Sequence, residues 1–262
     1  MLMFPFILQN LNTGRPQEFA WQARELIEAE NQWQNGKEEP IAYQMATLEQ
    51  LQNQPSTIDK NAVPVGSLEF CSYMLQNIGL RPVTALNIPP MLRNPDITGR
   101  NVYCLADYDA LHTFMEFQDP LQKFFIKPGD FAKRFPTVEI MAKSISQFES
   151  IPGPYFLSFP FLDEIDAEWR IFFHRGKIVD ARPYILDRWV CPQKEFAENI
   201  LGQWPNAPAA GTLDIAVLRS GRNVLLETHQ LISCGLYGFE ERALLRMYQD
   251  AWRWELQQQK QM

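Results

Sequence analysis

No stretch of the 262-residue chain reaches the roughly 18 consecutive apolar residues that a membrane-spanning helix requires, so a transmembrane segment is not expected. Cysteine is scarce: Cys71, Cys104, Cys191 and Cys234 are scattered, with no Cys-x-x-Cys pair. That spacing offers neither a disulfide framework nor a zinc site, and reduced thiols point to a cytoplasmic compartment. The only histidines are His112, His174 and His229, and no Ser-His-Asp or Cys-His arrangement accompanies them. Chemistry through a protein nucleophile is therefore not expected. Positive charge is in deficit, with 24 Lys and Arg against 31 Asp and Glu for a net charge of −7, which argues against nucleic acid as a partner. The apolar start, Met1 to Leu8, has no basic region before it and no small-residue cleavage site after it. It predicts a first buried strand rather than a signal peptide.

What the chain does have is apolar bulk: 46% hydrophobic residues, enough for one large core or two modest ones. The spacing of Phe19, Ala23, Leu26 and Ile27 predicts a surface helix over 16–34, and 41–54 suits a short strand followed by a helix. Ser67 predicts an N-cap for a helix over 68–77 that Gly79 stops. Pro82, Pro89, Pro90 and Pro95 exclude regular helix over 82–95 and predict a connection. A helix over 107–118 follows, with Asp107 as its cap and His112 as a structural residue upon it. Beyond 121 the texture turns strand-like at 124–128, 155–159, 169–173 and 177–180, and an amphipathic helix over 239–257 closes the chain. The first half therefore predicts α/β organisation and the second an antiparallel sheet, with a boundary between 110 and 122.

The most informative segment runs from Gly211 to His229. Two apolar stretches flank a polar Ser220-Gly221-Arg222 turn, which predicts a hairpin. Glu227 and His229 lie two apart and share a strand face, and Asp214 on the partner strand can arrive beside them. Two carboxylates and an imidazole on an otherwise apolar hairpin are costly to bury unless a cation sits among them. An oxygen-rich set of this kind suits magnesium shared with substrate phosphates. The alternative is three solvated charges on an amphipathic hairpin.

Several cations invite a similar reading. Lys127 ends an apolar strand just before Pro128-Gly129, where its ammonium can meet a phosphate or simply guard a sheet edge. Lys133 and Arg134 follow in a loop able to close over phosphates or to stand as a solvated turn. Glu168 and Arg170 share one face of a strand whose other face carries Trp169, Ile171 and Phe173. Arg170 is thus placed for a phosphate or carboxylate, or for a cross-strand ion pair. Arg182, in the next strand-like segment, is a further candidate.

Taken in order, these pieces resemble the ATP-grasp superfamily, and within it a compact clade of phage and bacterial ATP-grasp domain proteins. The similar segments are Phe-Ile-Lys127-Pro, Asp163-Glu164-Ile-Asp-Ala-Glu168-Trp-Arg170, His174-Arg-Gly-Lys-Ile-Val, Asp214-Ile-Ala-Val, and Glu227-Thr-His229 through to Gly235-Leu-Tyr-Gly238. Pro64-Val-Gly66-Ser67 resembles a segment of the family's amino-terminal domain. The resemblance implies an α+β, ATP-grasp fold. A small α/β amino-terminal domain over 1–115 would precede antiparallel-sheet ATP-binding lobes over 116–262, the latter including the carboxy-terminal helix. By carry-over, Lys127 and Lys133 would contact the ATP phosphates. Ser158, Phe159, Phe161 and Leu162 would form the hinge against adenine, with Glu168 and Leu226 beside the nucleotide. Arg170, Lys133 and Arg182 would act catalytically, and Asp214, Glu227 and His229 would hold Mg2+ or Mn2+. The implied activity is ATP-dependent ligation of a carboxylate to an amine through an acylphosphate, the substrates including peptides or proteins. An ATP-grasp kinase, using the same nucleotide site without an amine acceptor, remains an alternative, as does a non-catalytic nucleotide-binding protein, the latter because His229 stands where the family pattern has asparagine.

Overall fold

The computed structural model describes residues 4–259 except 16, 35, 37, 38, 56–58, 60, 84, 85, 131–134, 162, 187 and 188. The chain opens on strand β1 (Phe6–Gln9), all four residues buried, followed by helix α1 (Glu18–Gln34). Strand β2 (Tyr43–Ala46), helix α2 (Leu48–Asn53), strand β3 (Val63–Val65) and helix α3 (Leu68–Asn77) complete the first unit. The caps are those the residues dictate. Thr47 and Gln50 form a reciprocal capping box at α2, and Ser67 accepts the amide of Phe70 at the head of α3. Strands β2 and β3 both pair parallel to β1, giving a three-stranded sheet in the order β2-β1-β3.

The proline-rich connection carries a short 3-10 turn at Pro90–Leu92 and helix α4 (Pro95–Thr98), which ends on Gly99 in the left-handed region (φ 68°). Then come strand β4 (Val102–Leu105), helix α5 (Tyr108–Glu116), and strands β5 (Lys123–Pro128), β6 (Val138–Met141) and β7 (Tyr155–Ser158). These strands form a second, antiparallel sheet in the order β4-β7-β5-β6. Strand β4 and α5 therefore belong with β5–β7, so the expected boundary at 115/116 cuts through this lobe. The sequence offered little notice of β4 or β6, each only four residues long.

The third layer holds strands β8 (Ile165–His174) and β9 (Lys177–Leu186), helix α6 (Lys194–Gly202), and strands β10 (Ala210–Leu218) and β11 (Asn223–Gln230). Its antiparallel order is β11-β10-β8-β9. Strand β9 joins the expected strand at 177–180 and the strand-like segment that carries Arg182 into one, running through Pro183, which an edge strand tolerates because no amide is needed on its outer side. One face of this sheet packs Trp169, Ile171, Phe173, Leu213 and Ile215 against α6 and Trp204. The other carries Glu168, Arg170 and Asp214 towards the second sheet and the amino-terminal unit. Helix α7 (Ala243–Gln258) returns to pack Leu244, Met247, Tyr248 and Trp252 into the core of β1–β3. No helix among the described residues is long and apolar enough to cross a membrane.

Candidate active site

Strand register builds the site. Arg170 on β8 pairs with Asp214 on β10, and Asp214 pairs with Glu227 on β11, so the three side chains stand in one row across three strands. The next pair towards the turn is Ile215 with Leu225, so β11 advances two residues where β10 advances one. The extra residue, Leu226, is a bulge. In unbroken register Asp214 would oppose Leu226, and Glu227 would point into the apolar layer that holds Leu213.

The row is tightly bonded. Arg170 donates from Nε to Asp214 Oδ1 at 2.8 Å, from Nη2 to Oδ2 at 2.7 Å, and from Nη1 to the Gly235 carbonyl at 2.9 Å. Both partners are buried, Asp214 at 1% and Arg170 at 5% exposure. The guanidinium also sits 4.9 Å over the ring of Tyr237, which stacks on Tyr184. His229 Nε2 lies 3.2 Å from Asp214 Oδ2 and 3.0 Å from Glu227 Oε1. Lys127, arriving from β5 in the other sheet, pairs with Glu227 Oε2. Thr228, facing the other way, anchors β11 by donating its amide and hydroxyl to the Asn87 carbonyl at 2.6 and 2.8 Å.

These contacts set the protonation states. Burial would raise the Asp214 carboxyl, but Arg170 and His229 outweigh it and hold it below the usual range. Burial acts likewise on Glu227, and His229 and Lys127 bring it well below its ordinary value. Burial would lower the His229 imidazole, yet the carboxylates of Glu227 and Asp214 push it up to about 9. Glu168 goes the other way, raised chiefly by burial and further by the negative charges of Asp214 and Glu227. At neutral pH the cluster is therefore three cations facing two carboxylates, with Glu168 beside them.

Two cavities meet at this cluster. The first, about 660 Å³, lies between the two antiparallel sheets and is walled by Phe125, Phe156, Phe161 and Leu226, with Lys127, Ser158, Glu168 and Glu227 among its polar groups. The second, about 780 Å³, opens towards the amino-terminal unit and is lined by Gln17, Phe19, Ser67 and Leu68 together with Arg170 and His229. Lys127, Thr137 and Glu227 line both.

Of the residues singled out in the sequence, Lys127, Ser158, Phe161, Glu168 and Leu226 line the first cavity, and Arg170, Glu227 and His229 line the second. Phe159 is placed differently. Its ring packs at 4.8 Å on Phe124 in the lobe core, and its amide donates to the Asn101 carbonyl, so neither is turned to the cavity. Arg182 lies opposite Arg170 in register, yet it pairs with Asp180 on its own strand and lines neither cavity. Lys133 and Leu162 lie outside the described residues. Sequence reasoning missed Arg100, whose guanidinium stacks 4.0 Å over Phe161 on the wall of the first cavity. Burial lowers Arg100 to about 10, and its Nε has no hydrogen-bond partner among the described residues. Tyr184, which donates to Asp214 at 3.4 Å, was missed as well, its only signal being position on an alternating strand.

Asp214, Glu227 and His229 each offer a ligand atom, all within 4.8 Å of one another. These residue types could hold one divalent cation if His229 surrendered its proton, and an imidazole nitrogen suits Mn2+ better than Mg2+.

No curated protein sequence matches this chain. Among solved structures, D-cycloserine synthetase DcsG superposes with a TM-score of 0.55 at 14% identity, covering 95% of this chain and 99% of its own. An ATP-grasp RimK domain protein from Sphaerobacter thermophilus gives 0.53 at 14%, covering 95% and 99%. D-alanine–D-alanine ligase from Bacillus anthracis gives 0.52 at 11%, covering 98% and 100%. At these identities the likeness is one of fold, and the fold is that of ATP-grasp proteins. The profile of an ATP-grasp domain family, the second family of its clade, matches residues 99–247, more than half of the chain and a span that begins at the glycine before Arg100. The chain belongs to this clade of ATP-grasp domain proteins.

Proposed function

We propose that the chain is an ATP-dependent ligase that joins a carboxylate to an amine. The observation that carries this reading is the meeting of two cavities at Lys127 and Glu227, one sized and walled for a nucleotide, the other open to a second substrate. The aromatic and aliphatic wall of the first cavity takes the base, with Arg100 over Phe161 at its side. Lys127 holds phosphate oxygens as a point charge once they displace Glu227. The acceptor carboxylate approaches from the second cavity. One of its oxygens bonds to the γ-phosphorus as the bond to the β-bridging oxygen breaks, and ADP leaves. The amine nitrogen then bonds to the acyl carbon, the carbon–oxygen bond to phosphate breaks, and the amine proton leaves with the phosphate. Neither step needs a protein nucleophile. The chain supplies position and fixed positive charge, with Arg170 locked in place by Asp214 and Gly235. Asp214, Glu227 and His229 would hold a divalent cation, which supplies neutralisation of phosphate charge when bound. The four free cysteines accord with a cytoplasmic setting.

The test is release of ADP and inorganic phosphate in the presence of carboxylate and amine together. ADP release without free phosphate, the γ-phosphoryl staying on the acceptor, would replace the ligase reading with a kinase. One observation favours a third reading: all four carboxylate oxygens of Asp214 and Glu227 already face protein cations. A nucleotide-dependent rise in melting temperature without turnover on any carboxylate–amine pair would select a non-catalytic nucleotide-binding protein.

A further inference from the structure

A third concavity, about 640 Å³, lies apart from the cluster and shares no lining residue with either cavity described above. It is bounded by the β8–β9 turn and the start of α7, and its lining is rich in cations: Arg175, Lys177, Arg242 and Arg246, with His174 beside them and Glu30 the single carboxylate among the described lining residues. This concentration stands out on a chain of net charge −7. Part of the charge is already used. Asp250, buried behind the wall, takes His174 at 2.8 Å and Arg175 at 2.7 Å, and Glu30 takes Arg242 at 2.6 Å. Lys177 and Arg246 are exposed and form no ion pair among the described residues. Val179 lines the groove, and Trp33 lies beside it, under Arg242. Val179 is 42% exposed, and Trp33, 70% exposed, carries the Arg242 guanidinium 4.1 Å over its ring.

We propose that this groove binds an acidic peptide segment of a partner polypeptide, one in which carboxylates alternate with a bulky apolar residue. Unpaired cations on two different elements suit charges spread along a chain better than a single phosphate, which wants its donors converging on one point. The exposed indole and valine offer the apolar contact that a peptide side chain supplies. Nucleic acid fits less well, because a polyanion longer than the groove meets the negative field of the rest of the molecule. The groove is independent of ligation, since none of its residues lines the nucleotide or acceptor cavity.

Fluorescence anisotropy with a dye-labelled oligoglutamate peptide carrying one leucine tests the assignment on the full chain. Saturable binding that weakens with salt is expected, and Lys177→Glu with Arg246→Glu should weaken it by about tenfold or more. Lys143→Glu, an exposed cation elsewhere, should leave it unchanged. Melting temperatures report on folding, and the milder Lys177→Gln with Arg246→Gln pair substitutes if the charge reversal lowers them. The proposal is overturned by absence of saturable binding or by equal binding to the charge-altered pair. Tighter binding of single-stranded DNA or of anionic phospholipid vesicles than of the peptide overturns it as well.

Discussion

Replacing Asp214 with asparagine removes the counter-charge of a guanidinium that has almost no access to water. Arg170 is 5% exposed, and two of its donors end on Asp214 at 2.7 and 2.8 Å. Deleting one partner of such a pair costs about 3–5 kcal/mol, because the remaining charge stays buried and uncompensated. Here the lower end is expected, since His229 also faces Asp214 and can shed its proton to relieve the excess positive charge. For a chain of this size each kcal/mol lowers the melting temperature by roughly 2–4 °C, so Asp214→Asn should melt roughly 6–12 °C below the parent protein. Denaturant titration with a chelator present isolates the ion pair from any bound metal. A second variant, Arg170→Met with Asp214→Leu, exchanges both charges for apolar groups of similar bulk and should recover most of the loss. A deficit below about 1 kcal/mol in Asp214→Asn would refute the reasoning, as would a double variant no more stable than the single one. Either result would mean that Asp214 is kept for a ligand and not for Arg170.

Three further outcomes follow from the same geometry. Asp250 is raised by burial but pulled below its ordinary value by His174 and Arg175, so its stabilising contribution is present above the unfolded carboxyl range near about pH 4 and lost as pH falls through its folded value. The melting-temperature gap between the parent and Asp250→Asn should therefore close in acid, and a gap as wide at pH 3 as at pH 7 would contradict this. Glu227→Gln should weaken metal–nucleotide affinity by roughly tenfold or more in a calorimetric titration, while Glu195→Gln, exposed in the first turn of α6, should change nothing; equal behaviour of the two removes Glu227 from the site. His229→Asn replaces a nitrogen donor by an amide oxygen and should shift turnover from Mn2+ towards Mg2+. An unchanged metal preference, measured over both ions, would show that His229 is no ligand.

Local physics made much of this molecule readable from its residues. Ser67 and Asp107 cap helices because a side-chain oxygen before an apolar helical pattern satisfies an otherwise unpaired amide, and both caps form as expected. The polar Ser220-Gly221-Arg222 turn between apolar strands was enough for the β10–β11 hairpin, with Gly221 at φ 83°. The residue types of the cluster were equally visible, because two carboxylates, an imidazole and strand-borne Lys127 and Arg170 are expensive to place among apolar neighbours without a purpose. Their arrangement was decided elsewhere. Leu226 bulges out of register, and that single extra residue is what turns Glu227 to the side of Asp214. Arg182 shows the same limit, since register places it opposite Arg170 while Asp180 claims its charge. Arg100 belongs to the cavity only because β4 joins β7 and Phe161 lies beneath its guanidinium. Caps and alternation depend on neighbours a few residues apart, and so are written in the chain; register, bulges and the meeting of two sheets depend on which surfaces pack together, and only the tertiary structure decides them.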